Sequence, residues 1–269
     1  MRDSAYQDVN HVLPELDHDY GERVHILADV LALSLLSRIG HPSTRQPDIN
    51  RLLERCYGIL YSGLVNQMFP RENAEVVTRM AESVEGAAYR GQIIDPSARV
   101  VLVGVARAGT LPAYQGFDLL NDLCYSPGVR VDHVYMQRRT DEKGRVVGVD
   151  LGGSKFGGDV DKAIVLLPDP MGATGSSISD AIGLVKELPG TPQDIVCLHL
   201  IITPEFIAKV TADHPDVHIY ALRLDRGLSS PEALAAKPGS VEGECGINEV
   251  QYIVPGAGGL GEIINNSYA

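Results

Sequence analysis

Short apolar runs separated by helical segments constrain the fold of this chain more than any other feature. Each run suits a strand buried on both faces, and several are followed by a segment with helical spacing. The runs are VVLVGV (100–105), VDHVYM (131–136), AIVLL (163–167), DIVCLHLII (194–202) and VHIYAL (217–222). Strand–helix alternation predicts an α/β fold, with a central parallel sheet of five or so strands and helices on both faces.

The rest of the chain divides by composition and spacing. The spacing of apolar residues predicts an N-terminal helical segment, with helices over 23–38, 47–69 and 72–89. We expect residues 1–22 to form a polar arm and residues 23–269 a single domain. Two stretches rich in Gly and charge, 140–162 and 229–248, are predicted loops, and the first is long enough for a mobile lid.

Charge and cysteine usage exclude several classes of protein. The net charge of −12 argues against binding to a nucleic acid backbone. No apolar run approaches the ~18 residues of a membrane span, and the N-terminus has no signal-peptide core. The four cysteines lack paired spacing, which predicts free thiols in a cytoplasmic protein. The eight histidines form no metal-binding pattern.

The loop in LLPDPMGATGSSISDAI (166–182) carries the strongest functional signal. Parallel sheets bind ligands at the carboxyl ends of their strands, where Asp169 falls. Gly172 and Gly175 permit close approach of a ligand to the backbone. The following helix directs its N-terminal N–H groups at the loop, which favours a phosphate. An acid beside a phosphate site predicts a ligand with hydroxyls next to its phosphate, such as a ribose 5′-phosphate.

This loop has two other interpretations. A nucleoside-triphosphate loop needs a Lys that is absent here. An ordinary strand-to-helix turn with an Asp or Ser cap remains open from these residues alone.

Several segments resemble the uracil phosphoribosyltransferases, within the type I phosphoribosyltransferase fold. LLPDPMGATGSS resembles the loop of that family that binds 5-phosphoribosyl diphosphate (PRPP). GVARAG resembles the diphosphate-binding segment of the family. HPDVHIYALRLDRGL resembles a later run of the family, and YIVPGAGGLG resembles its uracil-binding segment. The resemblance covers about residues 24–265 in the right order, and it implies a C-terminal hood over the site.

The resemblance implies roles for individual residues. Arg107, Arg139 and Asp169 are the expected catalytic residues: the arginines bind the diphosphate and Asp169 holds the ribose hydroxyls. Arg139 matches the position of the family's arginine best, and Arg138 is the residue before it. The remaining implied substrate-binding residues are Ala108 and Gly109 for the diphosphate, Pro170 and Met171 in the PRPP loop, Gly172, Ala173, Thr174, Gly175, Ser176 and Ser177 for the 5′-phosphate, and Ile253, Gly258, Gly259 and Leu260 for the base.

Without the resemblance, some of these positions have other interpretations. Arg107 alone reads as an exposed loop residue, and the charged run after Arg139 as a solvated surface. GAGGLG (256–261) fits a dinucleotide-binding pattern, but that fold needs a further helix and strand, and eight residues follow Gly261.

The uracil-binding segment also departs from the family pattern. The family has Asp where this chain has Gly259, and Glu262 stands at the next acidic position. Residues 229–248 are longer than the link found in the family. Both differences adjoin the expected base site and bear on which substrate is used.

The resemblance therefore implies transfer of phosphoribose from PRPP to uracil in pyrimidine salvage, giving uridine monophosphate and pyrophosphate. The implied cofactor is Mg²⁺ bound through PRPP, and the implied partners are these small molecules and copies of the chain in a homodimer or larger homo-oligomer. Neither a nucleic acid nor a membrane is expected as a partner. Two alternatives stay open: a catalytically impaired homologue that binds PRPP or a nucleotide as a regulator, and a transferase for another heterocyclic base.

Overall fold

The computed structural model describes the backbone of residues 3–140 and 146–267, and side chains other than those of residues 137–151. The strands in this part are β1 (Val24–Ile26), β2 (Arg71–Val77), β3 (Ala88–Ile94), β4 (Val100–Ala106), β5 (Val129–Thr140), β6 (Val146–Lys155), β7 (Ile164–Pro168), β8 (Met171–Gly172), β9 (Asp194–Ile202) and β10 (His218–Leu224). The α-helices are α1 (Val30–Ile39), α2 (Asp48–Met68), α3 (Thr110–Asn121), α4 (Ser176–Lys186), α5 (Pro204–Asp213), α6 (Pro231–Ala235) and α7 (Leu260–Ile263).

One sheet organises the molecule. Its strand order is β1-β10-β9-β7-β4-β5-β6, and the short β8 pairs with β9. Every pairing is parallel except the one between β5 and β6. The predicted parallel sheet is confirmed, but it is larger than five strands because β1, β6 and β8 join it.

Alternate residues of each central strand face opposite apolar layers, as the pleat requires. In β4, Val100 and Leu102 join the layer that contains the buried faces of α1, α2 and α3. Val101 and Val103 join the layer formed with α4 and α5. The prediction of helices on both faces of the sheet is therefore confirmed.

The helix predicted over 23–38 begins later than expected. Residues Val24–Ile26 form β1, which pairs in parallel with β10, and α1 starts only at Val30. The carboxylate of Asp29 accepts a hydrogen bond from the backbone N–H of Ala32 at 2.8 Å and caps the helix. Pairing with a strand that is distant in sequence overrides the local helical pattern here.

The helix predicted over 72–89 is wrong. This stretch contains β2 and the start of β3, which form an antiparallel hairpin separate from the main sheet. Its Ala, Glu and Met residues favour a helix, but Val76 and Val77 are β-branched. Gly86 then adopts a φ of +73°, which a right-handed helix does not allow.

The two predicted loops contain more regular structure than expected. Residues 146–155 of the first form β6, so β5 and β6 make an antiparallel pair at the sheet edge. Residues 141–145 lie outside the described residues, and the lid remains a prediction. The second loop is irregular apart from the short helix α6.

Other local predictions are confirmed. Helix α2 matches the second predicted helix, and Thr203 caps α5 by accepting a hydrogen bond from the N–H of Phe206 at 3.1 Å. All four cysteines are free. Within the described residues, no helix combines the length and the apolar character that crossing a membrane requires.

Candidate active site

A cavity of about 730 Å³ opens at the carboxyl ends of the parallel strands. One wall consists of the end of β4 and the loop between β7 and α4. The other wall belongs to the segment 247–267, which we call the hood. Ligands of open α/β sheets bind at this edge, so the cavity lies where the topology predicts a site.

The loop after β7 is fixed by its own hydrogen bonds. The N–H of Asp169 donates to the carbonyl of Leu198 at 3.0 Å, which continues the pairing with β9. One carboxylate oxygen of Asp169 accepts from the N–H of Met171 at 3.0 Å. The carbonyl of Pro170 accepts from the N–H groups of Leu200 and Ile201, each at 3.1 Å. Asp169 therefore lines the cavity from a loop that is held rigidly against the sheet.

Two glycines of this loop allow it to approach α5. Gly175 has a φ of +82°, and a Cβ there would lie 3.1 Å from the Cβ of Lys209. A Cβ on Gly172 would lie 2.9 Å from the ring of Phe206. The tight turn of the loop into the N-terminus of α4 therefore depends on glycine at both positions. The first N–H groups of a helix lack intrahelical partners and suit an anion.

Arg107 lines the cavity at the end of β4, where a cation was predicted. Its guanidinium donates a hydrogen bond to the hydroxyl of Ser267 at 2.7 Å, which links this wall to the hood. Gly109 packs behind it: a Cβ there would lie 2.6 Å from the carbonyl oxygen of Pro168. The residues that follow β4 therefore lie directly against the loop that follows β7.

Buried charges position the hood. Asp225, at the end of β10, is nearly inaccessible to solvent and forms a bidentate ion pair with Arg223, at 2.6 and 2.7 Å. The same carboxylate accepts from the N–H of Gly256 at 2.7 Å, and Arg223 donates to the carbonyl of Gly256 at 3.2 Å. Both main-chain groups of Gly256 are thus held, which fixes the path of the segment that follows.

The long segment 229–248 is anchored on three sides. The buried carboxylate of Glu244 accepts hydrogen bonds from the guanidinium of Arg226 and the hydroxyl of Tyr20. On α5, the two carboxylate oxygens of Glu205 accept from the single N–H of Gly246, at 2.9 and 3.1 Å. The segment is therefore tied to the N-terminal arm, and it delivers the chain to the hood in a fixed position.

Most predicted site residues meet at this cavity. Those that line it are Arg107, Ala108, Asp169, Met171, Gly172, Ala173, Thr174, Gly175, Ser177, Ile253, Gly258, Gly259 and Leu260. Gly109, Pro170 and Ser176 adjoin these residues in the chain but are not among the lining residues. Arg138 and Arg139 belong to β5, and their side chains lie outside the described set.

Other lining residues were missed by the sequence analysis. They are Val105, Ala106, Met136, Ile178, Phe206, Val250, Gln251, Tyr252, Gly261 and Glu262. Tyr252 and Glu262 adjoin the predicted base segment, so proximity in sequence was an available signal. Met136 and Phe206 reach the cavity only through the fold.

His199 on β9 makes the stability of the folded chain depend on pH. It is fully buried, with its ring 4.4 Å from that of Phe206. Burial lowers the pKa of His199 from 6.5 to about 3, although the backbone of Asp169 opposes this shift. Between these two pH values the unfolded chain binds a proton that the folded chain does not. The free energy of unfolding therefore falls as the pH falls below 6.5, by up to about 1.4 kcal/mol per pH unit from this group.

We expect His199→Leu to lose that contribution to acid sensitivity. Denaturant unfolding at several pH values between 6.5 and 4 measures it. The free energy of unfolding should change less steeply with pH in the variant than in the wild type, by a slope that corresponds to about one bound proton. Parallel curves would show that His199 is not the group responsible.

Comparisons with known proteins agree with this geometry. A family model described as Uracil phosphoribosyltransferase matches residues 26–241. A uracil phosphoribosyltransferase of Pyrobaculum arsenaticum is 31% identical over 89% of this chain and 97% of its own. One of Saccharomyces cerevisiae is 30% identical over 86% of this chain and 89% of its own. The solved AQ2163 protein from Aquifex aeolicus aligns over 90% of this chain and 97% of its own, with a TM-score of 0.67 and 19% identity, which is a similarity of fold.

Proposed function

The chain belongs to the uracil phosphoribosyltransferase family, and we propose that it transfers the phosphoribosyl group of PRPP to uracil. The products are uridine monophosphate and pyrophosphate, which makes the reaction a step of pyrimidine salvage. The observation that carries this proposal is that Asp169 and the N-terminus of α4 stand in one loop and border one cavity. A carboxylate accepts hydrogen bonds from ribose hydroxyls, while a helix N-terminus binds a 5′-phosphate.

The protein's contribution to the reaction is positioning and electrostatic stabilisation. The base nitrogen displaces diphosphate at the anomeric carbon of the ribose, through a transition state with oxocarbenium character. Arg107 and Arg139 bind the leaving diphosphate and stabilise the charge that develops on it. The loop and the hood hold ribose and base in line, which removes most of the entropic cost of their meeting.

The donor set of the cavity suits Mg²⁺ that arrives with PRPP. Hard oxygen ligands suit this ion, and it usually keeps several waters and binds through substrate phosphates. Among the described residues, no group of three or more potential ligands is placed to hold an ion alone. Asp169 and Glu262 are the carboxylates among the lining residues. Bound Mg²⁺ would supply positive charge beside the leaving diphosphate.

The identity of the base is taken from the family, so recognition of the base by the hood needs a direct test. The family match ends at residue 241, before the main chain of Ile253, Gly258 and Gly259 that is proposed to read the base. Backbone recognition depends on the path of the chain and tolerates changes of side chain. The hydrogen bonds to Gly256 support such a fixed path.

The decisive experiment is an assay of the purified protein with PRPP, Mg²⁺ and uracil, with uridine monophosphate and pyrophosphate measured together. Equal amounts of both products are expected. Stabilisation by PRPP without product would instead favour a regulator that binds PRPP or a nucleotide. Product with another base in a panel, but none with uracil, would favour a transferase for that heterocycle.

We also propose that the protein works as a homodimer or larger homo-oligomer. The β2–β3 hairpin and the turn that joins its strands expose apolar side chains, with Val77 at 72%, Met80 at 57% and Val84 at 53% of full exposure. Clustered exposed apolar residues mark interaction surfaces. Light scattering of the purified protein should give at least twice the mass of one chain. A monomer at micromolar concentration would contradict this proposal.

A further inference from the structure

Glu262 places a carboxylate on the hood side of the cavity. It belongs to α7, is partly buried, and lines the cavity together with Gly259. A Cβ built on Gly259 would lie 2.5 Å from Oε2 of Glu262, too close for a real contact. The missing side chain at position 259 therefore provides the space in which this carboxylate lies.

The backbone of Glu262 is well anchored. Its N–H donates to the carbonyl of Gly259 at 3.1 Å, and its carbonyl accepts from the N–H of Ser267 at 3.0 Å. By contrast, within the described residues the carboxylate of Glu262 has no hydrogen bond or ion pair. An anchored residue with an unoccupied acceptor facing a cavity is suited to a donor on the ligand.

The charge of the substrates restricts what that donor can be. PRPP is a polyanion, and its phosphates are drawn to the helix N-terminus and to Arg107 on the other wall. A carboxylate repels those phosphates unless a cation lies between them, and it is stabilised by a neutral group that offers an N–H or O–H. Asp169 stands in the loop that holds the ribose phosphate. Glu262 stands in the hood, and its carboxylate lies over Gly259, whose main chain is proposed to read the base.

We infer that Glu262 accepts the hydrogen bond from N1–H of the base and takes that proton as the new bond forms. The inference rests on the proposed function. The electron pair of N1 bonds to the anomeric carbon, the bond from that carbon to the diphosphate oxygen breaks, and its electrons leave with pyrophosphate. The proton of N1 passes to the Glu262 carboxylate and from there to water after product release. A side chain at position 259 would move the carboxylate away from this place.

The test is Glu262→Gln, which keeps the shape but loses the charge and the proton acceptor. We expect kcat/KM for uracil to fall about 10- to 100-fold, as for loss of a hydrogen bond to a charged group. The affinity for PRPP, measured by calorimetry, should stay within twofold of the wild type. With 5-fluorouracil, whose N–H is more acidic and needs less help to lose its proton, the loss should be at least threefold smaller. Glu249→Gln is the matched control, because Glu249 is an exposed acid of the hood that does not line the cavity.

Gly259→Ala tests the same inference without removing the carboxylate. Gly259 has a φ of −79°, so the backbone accepts Ala and the effect arises from the displaced Glu262 side chain. We expect a loss of the same kind as in Glu262→Gln, again with PRPP affinity unchanged. This variant also covers the case in which Glu262→Gln fails to fold.

The outcomes separate the two proposals. If the wild type forms uridine monophosphate but Glu262→Gln matches Glu249→Gln, the inference is wrong and the proposed function stands. An equal loss with both bases, together with weaker PRPP binding, would place Glu262 at the phosphates or their metal ion and would also overturn the inference. If the wild type forms no uridine monophosphate, the proposed function fails and the inference falls with it.

Discussion

Asp169→Asn is expected to lower kcat/KM for PRPP by roughly 10³-fold, with little change in stability. Two ribose hydroxyls donating to a carboxylate contribute about 1.5–3 kcal/mol each, and about 4 kcal/mol corresponds to a thousandfold change in rate. An amide has one acceptor and presents a donor to the second hydroxyl. In the wild type, the N–H of Met171 donates to the Asp169 carboxylate at 3.0 Å. The amide oxygen of the variant can still accept this hydrogen bond, so the loop should keep its conformation.

Asp180→Asn is the control for this substitution. Asp180 is an exposed acid on α4, in the same loop-and-helix unit, and does not line the cavity. Steady-state rates with PRPP varied at saturating uracil, and thermal unfolding of both variants, make the comparison. An Asp169→Asn enzyme that keeps more than a tenth of wild-type kcat/KM would show that Asp169 does not bind the ribose.

The sheet and the cavity-lining loop after β7 were predictable because their signals are local. A strand buried on both faces, such as β4 or β9, must be apolar without interruption, and that pattern is visible in a short window of sequence. The carboxyl end of each run then identifies the edge of the sheet where ligands bind. Asp169 was found in this way, at the end of β7, whereas Arg107, at the end of β4, was assigned through the resemblance to the family.

The failures occur where the deciding contact is distant in sequence. Residues Val24–Ile26 form a strand because Val24 pairs with Ile219, and nothing near position 24 indicates that partner. The stretch over 72–89 has helix-favouring composition, yet β2 finds its partner strand after the turn at Gly86. Local propensity is weaker than such pairing, so it misassigned both segments.

The hood side of the cavity shows that sequence has the same limit for the candidate site. Sequence comparison registers Gly259 as the loss of an acid and cannot show what fills the space. The fold answers this, because α7 turns the Glu262 side chain back over Gly259. The tie between Tyr20 and Glu244 likewise joins segments more than two hundred residues apart in the chain.

Asp225→Asn is expected to lower the free energy of unfolding by about 3 kcal/mol, because removing one partner leaves a buried charge unpaired. The Asp225 side chain is 2% exposed and that of Arg223 is 20% exposed. For a chain of this size the midpoint of thermal unfolding should fall by roughly 6–12 °C. The substitution also weakens the hold on Gly256, so KM for uracil should rise more than KM for PRPP. Thermal and denaturant unfolding, followed by steady-state assays at a temperature where the variant is folded, measure these effects.

Asp216→Asn provides the matched comparison, since it removes the charge of an ion-paired Asp that is exposed. Asp216 pairs with Lys186 at 2.6 Å, but its side chain is 60% exposed, and exposed pairs contribute about 0–1 kcal/mol. The difference between the two variants therefore isolates the effect of burial from the effect of losing a carboxylate. Equal, small losses in both would mean that the hood is not held by Asp225. A large loss of stability with KM for uracil unchanged would mean that Asp225 supports the fold without positioning the base.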